Sequence, residues 1–421
     1  MENNRNWAGN YRYGASALLV PETTEQVQEM VARGGRMRVL GTRHSFNGIA
    51  DTAGSQISLQ KLNRVKAVDR ANNTVTVEAG IRYGELCRYL HEHGLALHNL
   101  ASLPHISVAG AVATATHGSG VRNGNLATAV RAMEVIRADG EKLVFTRGQG
   151  DGDFDGAVVG LGGLGVVTAV TLDTIPAFQI RQHVYENLPL SRLRDHADAI
   201  FSSGYSVSLF TDWTAASFNQ VWLKREWTAP AGAASETEPD FYGATPADAD
   251  RHPVPGHTAE NCSAQLGVPG PSYDRLPHFR MEFTPSAGEE LQSEYFVPRA
   301  QAYEALCAIE RLRERIAPLL YISEVRTIAE DKLWMSPCYG QDAVGIHFTW
   351  KPDWPSVRQL LPDIEAQLAP FRAKPHWAKL FTMAPERLQP LYAKLPDFRR
   401  LLRQCDPEGK FRNDFLETYI M

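Results

Sequence analysis

One histidine turn and two short polar stretches carry the chemistry legible in this chain. His44 lies in Gly41-Thr42-Arg43-His44-Ser45-Phe46-Asn47, directly after the basic-apolar run Arg36 to Leu40, which reads as a buried strand. Gly41 lets the backbone pass close to a ligand, and Thr42, Arg43 and Ser45 add donors beside exposed amides. That suits a diphosphate, although an ordinary strand-to-loop turn with a surface histidine would carry the same residues. Far downstream, Tyr321 to Ile328 and Val344 to Trp350 alternate as strands do. Glu324 and Arg326 are two apart and share a face. His347 and Thr349 share the face opposite Val344, Ile346, Phe348 and Trp350. Two such polar pairs line a hydrophilic cleft, or else form a wet sheet face with an ordinary Glu-Arg pair.

Between these lies the least usual segment, Ala101 to Gly120. Small residues dominate it, so side chains do not fill the surrounding space, and backbone packed against a flat or extended ligand is the physical reading. Ser102, Ser107, Thr114, Thr116 and Ser119 supply hydroxyls. A tightly packed Ala/Gly helix is the alternative; a flexible linker would not carry Leu103, Ile106, Val108 and Val112. Two other fragments are rejected. Gly160-Leu161-Gly162-Gly163-Leu164-Gly165 satisfies GxGxxG, but those glycines must open a helix, and Val166 to Leu172 is β-branched and reads as a strand. His91-Glu92-His93 ends a helix, where adjacent side chains point apart, and no third ligand is near. No metal site is expected.

The positioning elements follow from local pattern. Thr23-Thr24-Glu25-Gln26 starts a capped helix that stops at Gly34-Gly35. Hairpins are expected across Asn72-Asn73 and Asp139-Gly140. Further strands are expected at Tyr205 to Phe210, Gln220 to Lys224 and His278 to Phe283. One amphipathic helix is expected from Pro298 to Ile316 and another from Trp354 to Phe371. Thr228 to Pro277 is a long Pro/Gly/Ala/acidic stretch of the kind that is usually functional or mobile.

The 421 residues exceed one ordinary core, and 43% hydrophobic with 22% charged residues is a globular balance. A net charge of -5 argues against nucleic acid or an anionic membrane as main partner. The five cysteines never form a CxxC pair and read as free thiols in a reducing compartment. With no signal core and no apolar run able to span a bilayer, a cytoplasmic location is expected.

At His44, at Ser102 to Gly120 and at Pro375 to Lys379 the sequence resembles the vanillyl-alcohol-oxidase-like flavoproteins. Within them it is similar to the branch of bacterial alditol (xylitol) oxidases and their aldonolactone-oxidase relatives. The Gly-Thr-Arg-His-Ser-Phe-Asn turn, the Ala-Ser-Leu-Pro-His-Ile-Ser-Val-Ala-Gly segment, the His-Trp-Ala-Lys element and the Gly-Lys-Phe-Arg-Asn tail follow the family's order nearly end to end. The resemblance implies an α+β fold. A two-subdomain FAD-binding domain of PCMH type would span 1–175, a cap domain with an antiparallel sheet 176–375, and a C-terminal segment 376–421 would return to the FAD domain. FAD would be bonded covalently to His44 through the flavin 8α-methyl carbon.

The implied cofactor contacts are Gly41, Thr42, Arg43, His44, Ser45, Ser102, Ser107, Gly110, Thr114, Thr116, His117, Gly118, Gly165 and Val167. Ser102, Glu324 and Thr349 would bind substrate, and Arg326, His347 and Lys379 would be catalytic, with either His347 or Lys379 as the base. The matching alditol oxidases usually have Gly-Ser-Gly-His in the histidine turn, whereas Thr42-Arg43 stands in its middle here. The implied reaction is oxidation of a terminal hydroxyl of an open-chain polyol such as xylitol or sorbitol. Hydride would pass to flavin N5, and dioxygen would reoxidise the flavin to give hydrogen peroxide. A sugar-lactone oxidase or dehydrogenase of the same fold is the alternative, and a flavin-carrying binding protein without turnover is a third reading. The expected partners are the polyol and dioxygen, with no nucleic acid and no membrane, and the chain is expected to be a monomer.

Overall fold

Thr23 caps the helix Thr24–Arg33, its side chain accepting from the Gln26 N–H as the sequence pattern requires. The computed structural model describes residues 4–150, 152–228, 237–283 and 289–421. Val27 and Val31 of this helix bury in one apolar cluster with Met37, Ile57 and Phe411. Met37 and Ile57 belong to a small parallel sheet in the order Ala17–Leu19, Ser55–Ser58, Met37–Leu40.

Both expected hairpins form, Val65–Asp69 with Thr74–Glu78 and Val130–Ile136 with Lys142–Thr146. Val166–Asp173 lies between them and joins them into a five-stranded antiparallel sheet. The stretch after Gly165 is therefore a strand, as its β-branching demands. The glycine-rich turn before it has a structural use. The carbonyls of Leu161 and Gly162 accept from the buried Arg38 guanidinium, which also binds the carbonyls of Ile49 and Phe411.

The third sheet has nine strands among the described residues. Its order is Thr245–Pro246, Gln179–Pro189, Ser217–Trp227, Ser206–Thr211, Leu320–Ile328, Ala343–Trp350, Leu291–Pro298, Lys374–Pro375, with Gly270–Pro271 also on Gln179–Pro189. All its pairings are antiparallel. Helices Leu193–Phe201, Ala302–Glu310 and Trp354–Leu368 send Ile200, Phe201, Leu306, Ile309, Leu361 and Ile364 into one cluster with Val325, Ile346, Phe348 and Trp350. With that face covered, period two turns Glu324, Arg326, His347 and Thr349 the other way. The last helices, Leu395–Cys405 and Asp414–Tyr419, return Phe398, Leu402 and Leu416 to the cluster of Leu86, Val112 and Leu164.

Three local expectations change. The helix expected over 298–316 is two, Ala302–Glu310 and Arg313–Ile316, after a 3-10 turn at Arg299–Gln301. At the break, Leu312 N–H bonds the Ile309 carbonyl three residues back, a tightened turn that leaves Leu312 only half-buried. His278 to Phe283 is not a strand, because the N–H groups of His278 and Phe279 both go to the Ser102 carbonyl. A single bridge, Cys262 to Phe279, remains. Finally, the small-residue segment holds a short helix, Val108–Ala113.

Candidate active site

A cavity of about 1410 Å³ lies between the histidine turn, the small-residue segment and the polar face of the large sheet. That exceeds the usual range for a single small ligand and leaves room for an extended cofactor beside a substrate.

At its inner end the sheet register sets the geometry. Glu324 pairs directly with His347, and His347 pairs on its other side with Glu294, so these three side chains form a row across three strands. The next row is Phe296, Gly345, Arg326. Gly345 leaves room there: a Cβ on it would stand 3.1 Å from Glu294 Oε1, a tight contact. Over that gap Arg326 Nη2 donates to Glu294 Oε1 at 2.9 Å. Its Nε stands 3.5 Å from Glu324 Oε2, and its Nη1 donates to Ser102 Oγ at 3.2 Å. Lys379 Nζ takes the second Glu294 oxygen at 2.7 Å.

Two buried carboxylates thus face two cations. Burial opposes ionisation of Glu294, yet Lys379, His117 and Arg326 outweigh it and hold the carboxyl well below its usual range. For Glu324 burial is likewise outweighed, by Arg326 first and then His278. Burial lowers the Lys379 ammonium, with Glu294 opposing. Burial, and then the Lys379 ammonium, push His347 well below the ordinary imidazole value, so it is neutral at physiological pH. Neither His347 ring nitrogen has a hydrogen-bond partner among the described residues.

At the outer end, Thr42 Oγ1 lies 3.1 Å from His44 Nδ1 and accepts from the Ser107 N–H at 3.3 Å. Trp7 stacks on the His44 ring, centroids 5.2 Å apart. Burial, then the nearby His105, bring His44 down to about 4, so this imidazole is also neutral. Arg43 takes a left-handed backbone, φ 65°, the conformation that favours glycine. A side chain there costs roughly 1–2 kcal/mol. A Cβ on either Gly41 or Gly110 would stand 3.0 Å from Ser107 Oγ, so bare backbone surrounds that hydroxyl.

The C-terminal return ties the two ends together. Phe46 N–H donates to the Ala378 carbonyl at 2.7 Å, and Asn47 Nδ2 donates to the Trp377 and Lys379 carbonyls at 2.8 Å each. From the other side, the N–H groups of His376 and Leu380 bond the carbonyls of Glu294 and Gln292.

All the residues assigned to cofactor, substrate or catalysis line this cavity except Gly118, while Ser119, whose hydroxyl was also expected there, donates instead to the Val207 carbonyl. A Cβ on Gly118 would strike the Leu100 carbonyl at 2.2 Å, so it serves packing behind the wall, a correction to its expected cofactor contact. Lys379, expected as a catalytic residue, is paired with Glu294. Glu294 itself escaped the sequence reading, although a lone acid inside Ser293-Glu294-Tyr295-Phe296-Val297 is the signal that marks it. So did His278, whose Nε2 lies 2.7 Å from Glu324 Oε1. No group of three or more His, Cys, Asp or Glu able to hold a metal ion occurs among the described residues, and no helix there is long and apolar enough to cross a membrane.

Residues 15–146 match a family model described as FAD binding domain, and residues 286–419 one described as D-arabinono-1,4-lactone oxidase. Over 418 residues the chain is 50% identical to the alditol oxidase of Streptomyces sp. (strain IKD472 / FERM P-14339), covering 99% of this chain and 98% of that one. It is 28% identical over 430 residues to L-gulono-1,4-lactone dehydrogenase of Mycobacterium tuberculosis, covering 99% and 98%. The solved cholesterol oxidase from B. sterolicum matches with a TM-score of 0.78 at 14% identity, over 99% of this chain and 96% of that one, a likeness of fold. The outer end fits FAD: a neutral histidine, backbone left bare at Gly41 and Gly110, and hydroxyls at Ser107, Thr114 and Thr116 along one wall.

Proposed function

The chain belongs to the FAD-dependent alditol oxidases, and from that membership we propose that it oxidises the terminal primary hydroxyl of an open-chain polyol such as xylitol or sorbitol. The product is the aldose, dioxygen is the final acceptor, and hydrogen peroxide is released. The observation that carries this reading is the row Glu294, His347, Glu324 with Arg326 beside it. It sets directional donors and acceptors along a line, which is what the successive hydroxyls of an uncharged chain need.

Gly41, Gly110 and Ser107 would cradle FAD and His44 would bond it, and the bound flavin would supply the hydride acceptor. Ser102, Glu324 and Thr349 bind the hydroxyls. His347 takes the proton of the reacting hydroxyl, being neutral and unpartnered. Lys379 is the poorer base, since a neutral amine there would leave the buried Glu294 carboxylate with one compensating cation fewer. Arg326 and Lys379 stabilise the negative charge that develops on oxygen, and burial makes them worth more there than in water.

A substrate panel of xylitol, sorbitol, glycerol and galactonolactone, scored for peroxide and for anaerobic flavin bleaching, tests the reading. Each satisfied hydroxyl adds about 0.5–1.5 kcal/mol, so xylitol and sorbitol, with two and three more hydroxyls, should exceed glycerol by roughly tenfold to a hundredfold or more in kcat/KM. Preference for a lactone over xylitol would overturn it in favour of lactone oxidation, the activity in the name of the family model over residues 286–419.

A further inference from the structure

Glu324 is held from behind by buried polar groups that the reaction above does not use. His278 Nε2 lies 2.7 Å from Glu324 Oε1, and Lys224 Nζ lies 3.2 Å from His278 Nδ1. Lys224, on strand Ser217–Trp227, is fully buried, and it has three acceptors for its three hydrogens. They are the Leu276 carbonyl at 2.6 Å, the Pro277 carbonyl at 3.2 Å and His278 Nδ1. An ammonium only donates, so Nδ1 must accept and the ring's one N–H must sit on Nε2, aimed at Glu324. The ring plane is fixed as well, edge-on to Trp222 at 5.1 Å and to Phe210 at 5.6 Å. The same residue reaches a second pocket group, because the N–H groups of His278 and Phe279 hold the Ser102 carbonyl at 3.1 and 3.3 Å.

We propose that His278, its tautomer locked by Lys224, is a positioning residue that fixes Glu324 and Ser102 relative to each other and so sets the affinity and register of the polyol. This rests on the polyol-oxidase reading. One Glu324 oxygen is taken by His278 and the other is flanked by Arg326 Nε, so a substrate hydroxyl donates to Glu324 from one side only. The charged and titratable groups acting on Lys224 are Glu324, His278, Cys262, Arg275 and Arg326. Burial draws its ammonium down to about 7 while Glu324 holds it up, so the lock is strongest on the acid side of neutral.

The experiment uses flavin-loaded enzyme on the acid side of neutral and follows anaerobic flavin reduction against xylitol concentration. Flavin content reports folding. His278→Phe, which keeps a ring but has no donor, should raise the half-saturating xylitol concentration by roughly tenfold or more. Its limiting rate should stay within about threefold of the wild type. His278→Gln restores an N–H toward Glu324 and should recover most of the affinity, and Lys224→Met, which frees the tautomer, should fall between. An unchanged half-saturation in flavin-loaded His278→Phe, or a limiting rate that falls as far as the affinity, overturns the proposal. If His278→Phe does not retain flavin, the same criteria apply to Lys224→Met. Wild-type flavin that no polyol reduces would instead be a failure of the polyol reading.

Discussion

Lys379 and Glu294 meet at 2.7 Å across the joint between the returning C-terminal segment and strand Leu291–Pro298. The Glu294 carbonyl also accepts from the N–H of His376, so side chain and main chain of one residue hold the same segment. Its other carboxylate oxygen holds Arg326. One fully buried acid therefore spaces both cations assigned to the developing oxyanion.

Glu294→Gln keeps the size and removes the charge, leaving Arg326 and Lys379 to share Glu324. Breaking a buried pair in this way typically costs about 3–5 kcal/mol, so denaturant unfolding of the loaded enzyme should show a loss of that size. Flavin reduction should slow as well, by roughly a hundredfold, because the misplaced cations no longer meet the substrate oxygen. A variant matching the wild type in stability and rate would show that the cations do not depend on this acid.

Arg326→Ala should lower the limiting rate of flavin reduction by roughly two orders of magnitude or more, as loss of an oxyanion donor does. Glu324→Gln keeps shape but gives up an acceptor, and it should act mainly on KM. Near-normal flavin reduction in Arg326→Ala would remove this residue from its assigned part.

The covalent link proposed at His44 can be tested by eye. Acid-precipitated wild-type protein should stay yellow, while His44→Ala should release its flavin into the supernatant. Wild-type flavin that washes out would end the claim of a bond without touching the claim of FAD.

Acid should destabilise this protein through its buried histidines. His117, His183, His278, His347 and His376 are buried, and burial is the first cause holding each imidazole below its usual value, His183 and His278 at about 4. In the unfolded chain each returns to about 6.5, so between those values the unfolded state binds more protons. Stability should therefore fall as pH drops from about 6.5 toward 4, each histidine contributing up to about 1.4 kcal/mol per pH unit, and should be indifferent to these groups above that window. Melting temperatures taken across this window check the sign; a flat profile would contradict it.

Local pattern sufficed wherever one face of an element had to be apolar. Val344, Ile346, Phe348 and Trp350 could point only inward, which sent His347 and Thr349 to the pocket before any register was known. That Glu324 faces His347 was not legible, because strand pairing is long-range. Glu294 went unread because its meaning lies in partners 32 and 85 positions away, Arg326 and Lys379. The alternation of His278 to Phe283 suggested a strand, but the Ser102 carbonyl claimed its first donors. The flavin came from resemblance to a family; spacing and composition alone reached only a turn suited to a diphosphate.

The clamp on the histidine turn has a bearing on when the protein becomes competent. Asn47 takes its partners from Trp377 and Lys379, 330 and 332 positions later. At about 5–20 residues per second, translation separates them by roughly 15–65 s. Throughout that interval the nascent chain has His44 but not the residues that finish its turn. Flavin attachment at the proposed His44 site would on this account follow synthesis of residue 379, and ribosomal intermediates stalled before that point should carry no bound flavin.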